Sequence, residues 1–200
     1  MKKVERISSP ATVFTRPNVD TDVIIPAAHL KTLTRDGLGP VCFEGERYDA
    51  EGRVRNDSPF EQAARGEHRI LFAGPNFGCG SSREHAVWAL MALGYEAVVA
   101  PSFADIFTDN ALKNGLLLAE VSEADHATLA SALLGDAVAT IDLGDQTIFV
   151  GETHAPFDID PERRRRLLEG LDDISETLAD EAQIAAFEAA DRSVRPWLYA

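Results

Sequence analysis

The sequence predicts an α/β fold organised around a parallel sheet, and the pattern of residues 69 to 121 carries that prediction. Short apolar runs at Arg69–Ala73, Ala97–Ala100 and Leu116–Val121 suit buried strands, and helical patterns separate them. Each of the intervening helices stops at a glycine, Gly94 and then Gly115. Strand, helix, strand, helix, strand with short connections implies right-handed crossovers between parallel neighbours.

Taken in chain order, the N-terminal quarter is the least regular part, with strand candidates near Ala11–Thr15 and Val41–Tyr48. The strand at Arg69–Ala73 leads through a glycine-rich segment into a helix from about Ser82 to Leu93. After the strand at Ala97–Ala100, a second helix spans about Phe103 to Asn114. A third, from Glu123 to Leu134, has Ser122 as its cap and Gly135 as its stop. Ala137–Leu143 and Thr147–Gly151 read as a hairpin turning through Gly144-Asp145. Asp160 is a good N-cap, Pro161 suits the first helical position and Gly170 ends that helix. A last helix is expected over Asp180–Ala190, with Ile184 and Phe187 on its apolar side. We expect one domain over residues 1–200, in which about 157–200 form a helical extension and the central sheet is mostly parallel.

Composition narrows the function. The chain has 200 residues, is 45% hydrophobic and 26% charged, and carries a formal net charge of −14. Phosphate contacts need a basic face, so this balance argues against a general nucleic-acid binder. The basic run Arg163–Arg166 lies among acidic neighbours in an expected helix, where a solvated face or a partner contact is the better reading. No stretch approaches the roughly 20 apolar residues of a membrane span, and Met1–Arg6 lacks the apolar run of a signal peptide. A cytoplasmic location is the expectation. Cys42 and Cys79 form no CxxC pair, so neither a disulfide framework nor a self-contained metal or iron–sulfur site is expected.

The chemistry concentrates in Asn76-Phe77-Gly78-Cys79-Gly80-Ser81-Ser82-Arg83-Glu84-His85. Gly78 and Gly80 permit backbone conformations closed to other residues and allow close approach by a ligand. Ser81 and Glu84 have the spacing of a capping box. The helix begins at the C-terminal end of a parallel strand, where its free N–H groups and dipole favour an anion. Arg83 adds a guanidinium able to grip a carboxylate with two bonds. The plainer alternative is a glycine turn with a serine cap and a solvated arginine. Neither the P-loop nor the G-x-G-x-x-G fingerprint fits, because no lysine follows Gly80 and Arg83 occupies the third glycine position. A nucleophile elbow fails at Glu84. Ser81 and His85, four residues apart, leave a serine–histidine hydrolase as a rival without an evident acid partner.

Asn76–Leu90, read as NFGCGSSREHAVWAL, resembles the small subunit of 3-isopropylmalate dehydratase, and thereby the swivelling β/β/α-type domain of the aconitase superfamily. Asn18–Pro26, Ala100–Phe107, and Phe157–Ile159 through Leu171–Ile174 are similar to further stretches of that family. The resemblance implies dehydration and rehydration of 2-isopropylmalate, a small dicarboxylate, in leucine biosynthesis. It also implies a heterodimer with a large subunit that carries a [4Fe–4S] cluster, with no cofactor bound by this chain. Ser81 then matches the base that takes a carbon-bound proton, and Ser82 and Arg83 match carboxylate contacts. Asp22 falls on an aspartate supporting the site, with a turn or cap role as the alternative. Arg35 falls near a second carboxylate-binding arginine, in a loop expected to be mobile, and Leu33 or Leu38 would wall an isopropyl group unless both pack in the core. Cys79 is read as a packed loop residue, and His29 and His85 as structural. A hydro-lyase of the citraconate/methylmalate or homoaconitate type is the close alternative, and a non-catalytic anion-binding module the remote one.

Overall fold

The computed structural model describes every residue except 32, 33, 134, 136 and 200. Leu33, named above as an apolar wall, and the expected helix end at Leu134 therefore lie outside the described residues.

The chain runs β1 (Arg6–Phe14), α1 (Thr21–Ile24), α2 (Glu44–Arg47), α3 (Glu61–Ala64), β2 (Ile70–Ala73), α4 (Glu84–Leu93), β3 (Ala97–Ala100), α5 (Asp105–Asn114) and β4 (Leu117–Glu120). It continues through α6 (Glu123–Ala132), β5 (Val138–Asp142), β6 (Thr147–Val150), β7 (Thr153–Pro156), α7 (Pro161–Glu169), α8 (Asp173–Ala179) and α9 (Glu181–Val194). The strands form one seven-stranded sheet in the order β4-β3-β2-β1-β5-β6-β7. The predicted β2-α4-β3-α5-β4 unit is present with parallel pairing.

The expectation of a mostly parallel sheet is corrected to a mixed one. β1 pairs parallel with β2, but β1·β5, β5·β6 and β6·β7 are antiparallel. The cause lies in β1, which uses its two halves differently. Ala11–Phe14 pair with β2, while Arg6–Pro10 pair with β5, so Pro10, which has no N–H to donate, stands where one pairing gives way to the other.

The continuous apolar runs are explained by burial on both faces. Leu71, Ala73, Val98, Ala100 and Leu118 point into a core shared with α4, α5 and the front end. Their neighbours Ile70, Phe72, Ala97, Val99 and Leu117 point into a second core closed by Leu129 of α6 and Leu167 of α7. Each fully buried Leu, Ile, Val or Phe among them contributes on the order of 1.5–3 kcal/mol.

The strand expected near Val41–Tyr48 is not formed. Phe43 adopts φ 52° and starts α2 instead, with its ring stacked on Phe60 at 4.0 Å. Arg47, 3% exposed, holds this turn from inside: its Nη1 donates to the carbonyls of Gly39, Pro40 and Cys42, and its Nε to Glu61. At the C-terminus α7 is capped by Asp160 and ends at Gly170 as expected, and α8 is an additional helix capped by Asp172. The arginine run lies on a partly exposed face and is paired within the chain. Arg163 pairs with Asp109 at 2.8 Å, Arg164 donates to the Leu143 carbonyl at 2.9 Å, Arg165 pairs with Glu162 and Glu176, and Arg166 with Asp173. No helix among the described residues is long and apolar enough to cross a membrane.

Candidate active site

The loop between β2 and α4 is built as an extra rung of the sheet. Its residues bond to chain segments on both sides. Toward residues 18–21, the Gly78 N–H donates to the Val19 carbonyl at 2.8 Å and the Thr21 N–H to the Cys79 carbonyl at 2.9 Å. Toward residues 102–104, the Phe77 N–H donates to the Ser102 carbonyl at 3.1 Å and the Ala104 N–H to the Phe77 carbonyl at 3.0 Å. Asn76 and Asn18 both take positive φ, of 56° and 54°, and their side-chain amides bond to each other at 2.8 Å. Asparagine tolerates that region better than most residues. Gly78 is required twice over: its φ is 75°, and a Cβ there would sit 2.2 Å from Cγ of buried Phe107. Gly80 has φ 90° but more room, with Asp20 Cβ at 3.3 Å the nearest atom to a Cβ.

This loop delivers Ser81 and Ser82 to the surface, both exposed, immediately ahead of α4. Thr21 fixes the strand-like approach by donating its Oγ1 to the Ser81 carbonyl at 3.1 Å. The expected capping box does not form. Arg83 is the N-cap, no side chain caps the helix, and Glu84 accepts instead from Asn114 Nδ2 at 2.7 Å. The hydroxyls of Ser81 and Ser82 are thus left free of the capping role that sequence spacing assigned to Ser81. The N-cap side chain of α4 makes no capping bond, which leaves the helix start open to an anion.

Arg83 is 16% exposed and forms an ion pair with Asp22 through a buried Nη1. Asp22 is not the cap of α1; that role belongs to Asp20, which accepts from the Val23 N–H at 2.8 Å. Asp22 stands in the first turn of α1, 52% exposed, with Arg83 as its charge partner. So the structure brings Asp22, Ser81, Ser82 and Arg83 to one place. Arg35 lies farther along α4, its guanidinium 5.3 Å from the centre of the Trp88 ring. It borders a cavity of about 720 Å³ together with Met91 and Tyr95. Leu38 is 2% exposed and packs in the core, the alternative to a substrate wall that the sequence left open. Its neighbour Gly39 lies so close to the Ala92 carbonyl that a Cβ would approach to 2.6 Å.

Sequence reasoning missed the group behind Trp88. Asn114, 7% exposed, accepts from Trp88 Nε1 at 2.9 Å while donating to Glu84, and His85 packs on Trp88 with ring centres 4.7 Å apart. Nothing in the local pattern at Asn114 distinguished it from a helix-ending residue before Gly115. Thr21 was hidden in the same way within Asp20-Thr21-Asp22.

The two thiols are poor candidates for metal ligands. Burial pushes Cys42 far above the usual thiol range and raises Cys79 as well, with Asp20 adding to the latter. Among the described residues no group of three or more His, Cys, Asp or Glu side chains could hold a metal ion. A [4Fe–4S] cluster does not fit this chain.

The chain belongs to the aconitase C-terminal-domain class. The Aconitase C-terminal domain family model matches residues 1–124. More narrowly, the chain belongs to the 3-isopropylmalate dehydratase small-subunit family. It is 46% identical to the 3-isopropylmalate dehydratase small subunit of Leifsonia xyli over 98% of this chain and 96% of that one. It is likewise 46% identical to that of Zymomonas mobilis, over 99% and 100%. The family model for the C-terminal domain of the 3-isopropylmalate dehydratase small subunit matches residues 173–200. The crystal structure of 3-isopropylmalate dehydratase from Methanocaldococcus jannaschii superposes with a TM-score of 0.67 at 28% identity, covering 92% of this chain and 99% of that one.

Proposed function

We propose that this chain supplies the proton-handling and carboxylate-gripping half of a 3-isopropylmalate dehydratase, completed by a large subunit. The observation that carries this reading is the pair of exposed hydroxyls, Ser81 and Ser82, set on an uncapped helix N-terminus beside an arginine held by Asp22. Small-subunit naming of the relatives supports a large partner, and we assign the cluster to that partner because the two cysteines of this chain are too few to hold one. Residues 1–200 are read as one swivelling domain, with 157–200 as its helical extension.

Ser81 takes the carbon-bound proton onto Oγ. A serine hydroxyl is a weak base, so its alkoxide needs stabilisation. The α4 N-terminus offers roughly half a positive charge, and Arg83 a full one. Ser82 and Arg83 bind substrate carboxylate. Asp22 acts through Arg83: it holds Nη1 and leaves the rest of the guanidinium to face substrate. Arg35 is assigned a second carboxylate, which requires its loop to leave Trp88 when the partner closes over it.

The test is reconstitution with a cognate large subunit, following the alkene by ultraviolet absorbance over a panel of branched and linear hydroxydiacids. Ser81→Ala is expected to lower turnover by about 100-fold or more with KM little changed. Arg83→Ala should raise KM, and Arg83→Lys should restore only part of the loss because two-point contact is gone. Unchanged turnover in the Ser81→Ala complex overturns the assigned base. Preference for methylmalate or a longer homologue would reassign the substrate within the same class.

A further inference from the structure

We infer that α9 and the turn after it form a docking arm that inserts into an apolar groove with a basic rim on the large subunit. The inference rests on the proposed function and names the surface through which the two halves meet. Every residue of α9 is at least partly exposed, and none is buried against the rest of the chain. A helix of 14 residues has little stability of its own in water and normally depends on a packed apolar face. The face exists but is uncovered. Ile184, Phe187 and Val194 recur at helical spacing, and Trp197 and Leu198 extend them, with exposures of 38, 64, 70, 69 and 59%. Asp191 falls on the same stripe, yet its carboxylate is already taken by Arg195 Nε at 2.5 Å and Tyr199 Oη at 2.9 Å. An apolar stripe of this kind, anchored at i, i+3 and i+10, fits a groove-binding helix.

Charge decides between the possible occupants. On the arm Asp180, Glu181, Glu188 and Asp191 outnumber Arg192 and Arg195, and the chain as a whole carries a net charge of −14. Pairing two copies through these arms would set like charge against like, whereas a groove with a basic rim complements it. Family matches point to the same occupant. The aconitase domain model ends at residue 124, and the model that covers residues 173–200 is that of the C-terminal domain of the 3-isopropylmalate dehydratase small subunit.

The experiment titrates the full-length chain against purified large subunit by calorimetry, with sedimentation of each chain alone. Ile184→Asp combined with Phe187→Asp should raise the dissociation constant by about tenfold or more. Trp197→Ala, which changes no charge, should weaken binding in the same direction. Val138→Asp, at an apolar position on β5 that is 46% exposed, should not. At saturating small subunit the arm variants should turn over substrate at the wild-type rate. Unchanged affinity in the arm variants, or equal weakening by Val138→Asp, overturns the arm while leaving the proposed function standing. No complex between the unaltered chains overturns the proposed function itself, and the arm's partner with it. Self-association of the isolated chain that the arm variants abolish makes a second copy the occupant and overturns the assignment.

Discussion

Gly78 and Gly80 look equivalent in the sequence, and the structure separates them. Both have positive φ, which costs a residue with a Cβ about 1–2 kcal/mol. Only Gly78 also faces a buried ring, with Phe107 Cγ at 2.2 Å from where a Cβ would stand. Gly78→Ala is therefore expected to destabilise the chain by clearly more than Gly80→Ala, measured by urea unfolding. In a Phe107→Ala background the cost of Gly78→Ala should shrink toward that of Gly80→Ala, because the clash is then gone and only the backbone cost of the substitution remains. Equal costs for the two alanines would show that the Phe107 contact does not constrain the loop. At this scale the reading of Ser81 also changed. Its spacing to Glu84 suggested a cap, but a distant residue, Asn114, takes Glu84, and no local pattern reports such a contact.

Among the elements, legibility followed the range of the interactions. The β2-α4-β3-α5-β4 unit was readable because its strands are apolar on both faces and its helices end at glycine, both local signals. The first half of β1 was missed because Ser8-Ser9-Pro10 carries no strand pattern, although β5 pairs with it throughout. β7, Thr153–Pro156, is four residues long and ends in proline, so only its pairing with β6 reveals it. The front end failed for a different reason: a buried arginine organises it. Arg47 binds three carbonyls and Glu61 at once. Removing one member of a buried ionic cluster costs about 3–5 kcal/mol. Arg47→Met should lose about that much in urea unfolding, and Glu61→Gln less, since Glu61 is 19% exposed and the carbonyl contacts would survive. A loss below 1 kcal/mol for Arg47→Met would mean that the Phe14, Phe43 and Phe60 rings hold the front end without it.

For the molecule as a whole, the parallel half of the sheet is buried on both faces, so a titrating group packed against it reports on global stability. His126 on α6 is such a group. It is 6% exposed, its ring centre is 5.7 Å from that of Phe72, and its buried Nε2 has no hydrogen-bond partner among the described residues. Burial pushes its pKa below the ordinary histidine value, opposed by the backbone of Ala73 and Val99. The unfolded chain therefore binds a proton there more readily than the folded one, and stability must rise with pH across the interval between the two values. It is fully present above about 6.5, the ordinary value, and is lost as pH falls through the folded one. His68 is shifted the same way by burial and adds to the slope. Urea midpoints should thus fall between pH 7.5 and 5.5, and the fall should be shallower, though not abolished, in His126→Gln. Each unit separating the folded and unfolded values is worth about 1.4 kcal/mol, which sets the scale of the difference. Parallel pH profiles for the two proteins would mean that His126 accepts its proton without opening the core, and that the acid sensitivity of the fold lies elsewhere.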